Sequence, residues 1–153
     1  MLEQLTFEEI KFIWEKELWP NKKNGVQKAN EWTWVSGHVV LGKNKNMVAK
    51  VEPIFYGIRE DNKIVAVNSV YRSNENNWRS RGLWVYPEYR RYGHATTLLE
   101  WAQLHTKTFG GDYLWTVPRK SALPAYEKVG FNKCSEWFDD GQYGPNCIAN
   151  YML

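Results

Sequence analysis

The sequence predicts a mixed α/β fold in a single domain of 153 residues. Three observations lead there. The N-terminal segment repeats apolar residues at helical spacing. Residues 53–87 fall into three stretches of strand composition separated by short polar turns, the pattern of an antiparallel meander. Beyond them, helical and strand-like stretches alternate to the C-terminus, so helices and strands are interleaved. A chain of this length can bury a full core without metal or disulfide support.

Residues 1–5 read as a short strand. "TFEEIKFIWEKELW" then reads as a helix: Thr6 is the N-cap and Glu9, three residues on, completes a capping box. Ile10, Ile13, Trp14 and Leu18 fall on one helical face, and Pro20 ends the segment. Residues 21–50 are rich in Asn, Gly and Lys and predict a long excursion holding one short helix or strand. "PIFYGIRE", "KIVAVNSVYRS" and "WRSRGLWVYP" are the meander strands, and Pro87 ends the third because proline donates no ladder hydrogen bond. "GHATTLLEWAQLHTKTF" predicts a helix with Leu98, Leu99, Ala102 and Leu104 as its apolar positions, closed by "GGD". "YLWTV" is a strand, "SALPAYEKVG" a short helix, and "FNKCSEWF" and "NCIANYML" the last two strands.

Twenty basic and 17 acidic residues give a net charge of +3, too mild to argue for nucleic acid by itself. Lysines 22, 23, 28, 43, 45 and 50, interleaved with Trp32 and Trp34, leave a nucleic-acid contact open against the plainer reading of a solvated loop. Two cysteines, Cys134 and Cys147, make no disulfide framework and are expected as free thiols in a reducing compartment. Three histidines and two cysteines show no metal-ligand spacing, so no metal is expected. The N-terminus lacks the basic and apolar regions of a signal peptide, and no apolar run suffices to span a membrane. A cytoplasmic protein is expected, with no membrane partner. Nine tryptophans and nine tyrosines exceed what a core this size needs, which fits an aromatic-lined groove or a homodimer interface.

The segment "VYPEYRRYGHATTLLEWA", Val85–Ala102, carries the chemistry. A strand ending at Pro87 and a helix beginning near Gly93 leave a loop over a helix N-terminus. The first helical turn has unpaired N–H groups and the positive end of the dipole, a ready site for phosphate. Gly93 and Ala95 leave the backbone approachable, and Arg90 and Arg91 add positive charge. The physical reading is a pyrophosphate cradle; the plainer alternative is a simple helix start with solvated arginines.

This stretch resembles the (Q/R)-x-x-G-x-(G/A) motif of the GNAT superfamily of acyl-CoA-dependent N-acyltransferases, here Arg90-Arg91-Tyr92-Gly93-His94-Ala95. "SALPAYEKVGF", Ser121–Phe131, resembles the family's later A-x-x-x-Y-E-K-x-G-F signature and follows in the right order. The resemblance covers about residues 51–153, which it marks as an acyl-CoA-binding core, with residues 1–50 a divergent acceptor-side region. It implies a central, mostly antiparallel twisted sheet of six to seven strands flanked by about four helices. It implies acetyl-CoA as cosubstrate and an N-acetyltransferase acting on a primary amine by direct attack. The cofactor contacts it implies are Trp84, Val85, Tyr86, Arg90, Arg91, Tyr92, Gly93, His94, Ala95, Thr96 and Ser121, largely through backbone. Of the side chains, His94 is expected to face solvent or phosphate. Two catalytic roles follow: the Val85 N–H against the thioester oxygen, and the Tyr126 phenol as acid for the leaving thiolate. A phenol of pKa about 10 can serve a thiolate whose conjugate acid lies near 8.5.

The sequence departs from the family at the base. Many members place a glutamate six residues before the position of Val85; Arg79 stands there and accepts no proton. Glu52, Glu60, Asp61, His38 or a relay of water molecules are the remaining candidates. Arg79 and Arg81 share a strand face, and with Arg72 they read either as a clamp for an acceptor carboxylate or phosphate or as a charged, exposed hairpin end. Trp34 is a candidate wall of the acceptor pocket. A coenzyme A-binding sensor without catalysis is the competing class.

Overall fold

The computed structural model describes residues 1–20, 22, 25–29, 32–35, 38–41, 51–74, 76–139 and 144–153, with the side chains of 32–35, 38–41 and 74 excepted. β1 (Leu2–Leu5) leads into α1 (Phe7–Ile13), which widens into a π-helical turn at Trp14–Leu18. The capping box forms as the spacing predicts: Thr6 Oγ1 accepts from the Glu9 N–H at 3.1 Å and Glu9 Oε1 accepts from the Thr6 N–H at 2.9 Å. The excursion 21–50 contributes a two-stranded ribbon, β2 (Trp32–Val35) with β3 (His38–Leu41), paired antiparallel. The meander is β4 (Ile54–Glu60), β5 (Lys63–Asn74) and β6 (Asn77–Val85). After a short 3-10 turn at Pro87–Tyr89 come α2 (His94–Thr108), β7 (Tyr113–Thr116), α3 (Leu123–Lys128), β8 (Asn132–Lys133) and β9 (Ala149–Met152).

The main sheet has seven strands in the order β1-β4-β5-β6-β7-β9-β8, antiparallel except for the β6–β7 pair. The fold is thus mixed α/β with a mostly antiparallel sheet. Three α-helices flank it among the described residues. One face carries the larger core, where Leu98, Leu99 and Ala102 of α2 and Leu123 and Tyr126 of α3 pack on Tyr56, Val70 and Leu114. The other face packs α1 and the π-turn, through Ile10, Ile13, Trp14 and Leu18, on Phe55 and Val67.

Two sequence expectations need correction. Leu104 is 64 % exposed; the buried stripe of α2 is Leu98, Leu99, Ala102 and Thr106, at helical spacing that leaves Leu104 on the outer side. The strand expected over 131–138 shrinks to β8. After Lys133 the N–H of Cys134 still reaches the Ile148 carbonyl at 2.8 Å, but the N–H of Ile148 takes the Ser135 hydroxyl, also at 2.8 Å, and the ladder ends. Cys134 and Cys147 are both free. No helix among the described residues is long and apolar enough to cross a membrane.

Candidate functional site

The site begins with a bulge in β6. Ser69 faces Arg81 and Val67 faces Trp84, so β6 spends three steps where β5 spends two. Gly82 sits in the extra turn at φ +83°, a conformation L side chains rarely hold, and a Cβ there would lie 2.2 Å from the Trp14 ring. The bulge resets the alternation of the strand. Before it, Arg81 stacks on Trp14 over the α1 face; after it, Trp84 and Tyr86 take that face while Leu83 and Val85 join the α2 side.

The bulge also coincides with a parting of strands. β6 and β7 pair only from Asn77↔Tyr113 to Arg79↔Trp115. Beyond that point β6 runs on to Val85 with no partner strand on the β7 side among the described residues. The Tyr86 N–H bonds the Val65 carbonyl of the β5 side at 3.0 Å, so Val85, one step back, turns its amide and carbonyl the other way, into the gap. The Val85 carbonyl accepts there from Arg90 Nε at 2.9 Å.

The loop at the mouth of the gap is tightly wound. Arg91 lies at φ +73° and Gly93 at φ +82°, two left-handed residues that fold the backbone into a concavity ahead of α2. No side chain caps α2, whose first intrahelical bond runs from the Thr97 N–H to the Gly93 carbonyl at 2.9 Å. A Cβ on Gly93 would meet nothing within 4 Å, so the glycine serves the φ angle and the approach is open. A cavity of about 380 Å³ extends from this loop along the edge of β6 to α3 and the end of the π-turn.

Trp84, Val85, Arg90, Arg91, Gly93, His94, Ala95, Thr96 and Ser121 line that cavity. Tyr86 and Tyr92 do not. Tyr86 packs in the α1-side core under Lys63, and Tyr92 is 74 % exposed. Arg90 stacks on the Trp84 ring at 4.8 Å while holding Val85, so it braces the strand end besides bringing charge. The His94 side chain is not turned to solvent: it lies mostly buried, with Nε2 3.2 Å from Glu60 Oε1, near enough to pair electrostatically but misaligned for a hydrogen bond. The Trp84 indole N–H is buried, has no partner, and belongs to a lining residue. Sequence reasoning missed Leu18, Arg119 and Lys128. Arg119 Nη2 donates to the Leu18 carbonyl, tying the π-turn to the chain just after β7. The Pro118 that ends β7 was the only signal for it.

Tyr126 is 3 % exposed on the same helix as the lining residue Ala125. Burial pushes its phenol above the ordinary 10, against the opposing effects of the Thr116 hydroxyl, the Arg79 charge and the Ser80 hydroxyl. Ser80 belongs to a buried polar chain. Asn68 Nδ2 donates to Ser80 Oγ at 2.9 Å and to Tyr56 Oη at 2.8 Å, and Tyr56 donates to the Leu98 carbonyl at 2.7 Å.

The arginines of β6 are not an exposed hairpin end. Arg79 is 5 % and Arg81 2 % exposed. Arg79 lies over the Trp115 ring at 4.8 Å, with Nη1 3.5 Å from Tyr71 Oη. Arg81 lies 5.0 Å from the Trp14 ring and 4.6 Å from the Trp19 ring, which themselves meet edge-to-face at 5.2 Å, and its Nη1 donates to the Gln27 carbonyl at 2.8 Å. Burial lowers Arg81 to about 10, which still leaves it charged at neutral pH. The side chains of Trp34 and His38 lie outside the described residues, as do Lys23, Lys43, Lys45 and Lys50. Glu52 and Asp61 are exposed, and Glu60 stands beside His94 at the loop end of the cavity. Among the described residues no group of His, Cys, Asp and Glu is arranged to hold a metal.

Comparison with known proteins was made on this geometry. A family model described as "Acetyltransferase (GNAT) domain" matches residues 52–133. No curated protein sequence matches the chain. Among solved structures, an IAA acetyltransferase from Bacillus cereus superposes with a TM-score of 0.65 at 12 % identity, covering 100 % of this chain and 99 % of that one. A GNAT family acetyltransferase from Elizabethkingia anophelis, with acetyl-CoA bound, gives 0.56 at 16 % identity over 66 % of this chain and 76 % of that one. The PaiA N-acetyltransferase from Thermoplasma acidophilum, in complex with coenzyme A, gives 0.57 at 20 % identity over 71 % and 68 %. At these identities the structural likeness shows a shared fold.

Proposed function

Because the chain belongs to the GNAT acetyltransferase family, we propose that it transfers an acetyl group from acetyl-CoA to a primary amine by direct attack in a ternary complex. The observation that carries the proposal is the continuity of one cavity from the left-handed loop at Arg91–Gly93 to the partnerless edge of β6 at Val85. Residues 51–153 form the acyl-CoA-binding core of this reading and residues 1–50 its acceptor side. The reaction is taken to be cytoplasmic.

Acetyl-CoA supplies the activated acyl group as a thioester. The residues present suit it. The uncapped first turn of α2 offers N–H groups at His94, Ala95 and Thr96 to a diphosphate, with Arg91 beside them. The Val85 edge offers a backbone donor toward the gap, where a developing oxyanion gains about 3 kcal/mol from such a group. The buried Trp84 indole N–H is a further donor. On attack the nitrogen forms the new amide bond, the carbon–sulfur bond breaks, and a proton passes from nitrogen to sulfur. Tyr126 is assigned the last transfer. Its raised pKa keeps the phenol protonated across the neutral range, so it enters each cycle as a donor. Arg79 at the usual base position favours the neutral form of an amine bound near it, since a like charge disfavours the ammonium.

Tyr126→Phe tests the assignment. With thiol release as readout and a panel of primary amines, the variant is expected to lose about 100-fold in kcat. Its affinity for desulfo-coenzyme A, measured by calorimetry, stays near the wild-type value. Full kcat in the variant removes the acid role. A wild-type protein that binds desulfo-coenzyme A and acetylates no amine fits the competing reading of a coenzyme A sensor, which Arg79 at the base position favours.

A further inference from the structure

We propose that the acceptor amine carries an oxyanion, a carboxylate or a phosphate, which pairs with the guanidinium of Arg81. The inference rests on the acetyltransferase reading and names its substrate class.

Arg81 is a cation held out of water without a counter-charge. It is 2 % exposed, and no carboxylate pairs with it among the described residues. Of its five donors one is used, Nη1 to the Gln27 carbonyl, and Nε is buried with no partner. The neighbouring Trp14 and Trp19 rings offer cation–π contact but supply no hydrogen-bond acceptor. A buried charge lacking a partner is costly, and a guanidinium with unused donors is the group that grips an oxyanion with paired hydrogen bonds.

The position suits an acceptor. Arg81 does not itself line the cavity, but it is the last residue before the bulge, and the chain neighbours of its surroundings do line it: Leu18, which precedes Trp19, and Leu83 and Trp84, which follow the bulge. In this proposal the acceptor's nitrogen approaches the Val85 edge and its anionic end passes Leu18 and Trp84 to reach Arg81. Arg79, on the same face, makes the neighbourhood more positive still.

Three probes of similar length separate the sources of the anion: propylamine, β-alanine and phosphoethanolamine. In the full-length wild type at matched ionic strength, β-alanine or phosphoethanolamine is expected to raise the thermal midpoint saturably, and propylamine is not. The favoured probe is acetylated with a kcat/KM at least about tenfold above propylamine. Arg81→Gln is expected to erase both differences while desulfo-coenzyme A binds within about twofold of wild type. Arg81→Lys, which keeps the charge but loses the fork, should retain only part, and serves if the glutamine variant fails to fold. Equal response to all three probes in the wild type overturns the proposal. So does a uniform loss with every amine in the variants, the signature of a structural cation. Should no amine be acetylated, the acetyltransferase reading falls, and the midpoint shifts still decide whether Arg81 holds an anion.

Discussion

At Gly82 an added methyl group meets the Trp14 ring at 2.2 Å, in a backbone conformation of φ +83° that side chains resist. The same peptide accepts the Trp14 indole N–H at 2.8 Å through its carbonyl. One residue thus sets the bulge, seats the indole that flanks Arg81, and turns Val85 toward the gap. Gly82→Ala is expected to destabilise the protein by about 3 kcal/mol through backbone strain and overpacking, measured by urea unfolding. An unchanged unfolding midpoint would mean that the bulge tolerates a side chain. The isolated glycine in "WRSRGLWV" is a general hint of a bulge, but the ring that makes it necessary lies 68 residues away in the chain. Arg79 and Arg81 were less legible. Their alternation placed them on one face correctly, but a charged pair beside a polar turn reads as solvated until the tryptophans that cover it are known. The motif residues Arg90–Ala95 were legible because their chemistry is local: a helix start and a glycine need no distant partner.

Among the elements, α1 and α2 treat their N-termini in opposite ways. α1 satisfies its first turn with a reciprocal capping box, and Arg59 joins Glu9 at 3.3 Å and Glu3 at 2.7 Å to brace it on β4. α2 begins at a left-handed glycine with no side-chain cap, which leaves its first-turn donors for a ligand. In the proposed function this contrast separates a structural helix start from one that holds the cosubstrate. Thr6→Ala is expected to cost about 1 kcal/mol, which for a domain this size lowers the thermal midpoint by about 2–4 °C. The cost should depend on pH. The backbone N–H of Thr6, against a weaker effect of burial and aided by the Thr6 hydroxyl and Arg59, holds the Glu9 carboxyl below its ordinary 4.5. A carboxyl with a lowered folded-state pKa stabilises above its unfolded value and loses that contribution as pH falls through the folded one. The gap between wild type and variant should therefore narrow as pH drops below about 4.5. A gap that stays constant down to acid unfolding would show that the Thr6 hydroxyl contributes nothing to holding the Glu9 carboxylate, whose bond from the backbone N–H of residue 6 the alanine keeps. This element was readable in advance, since T-x-x-E before an apolar stripe is a short-range signal; the two-residue β8 was not, since a single serine hydroxyl truncates it.

The molecule as a whole is organised around one unfinished pairing. A strand sequence records how far its side chains alternate but not which of its two edges is occupied, so the meander was readable and the parting of β6 from β7 was not. The parting leaves the end of β6, Leu83 to Val85, beside a cavity instead of a strand on its β7 side among the described residues. Open backbone within a folded core is a liability unless something pairs with it. A ligand lying along that edge, with its anionic end at the Arg91–Gly93 loop, would complete the sheet much as another strand would. Amide hydrogen exchange reads this directly. In the free protein the Val85 amide should exchange far faster than the Val67 amide, which sits in β5 between two paired strands. Saturating desulfo-coenzyme A should slow Val85 by about tenfold or more, because a closed amide exchanges only when the complex opens. Val67 should be unaffected beyond the global gain in stability. Protection confined to the α2 N-terminus, with Val85 still exchanging freely, would leave the loop as an anion site but remove the strand edge from the binding surface, and with it the role assigned to the Val85 N–H.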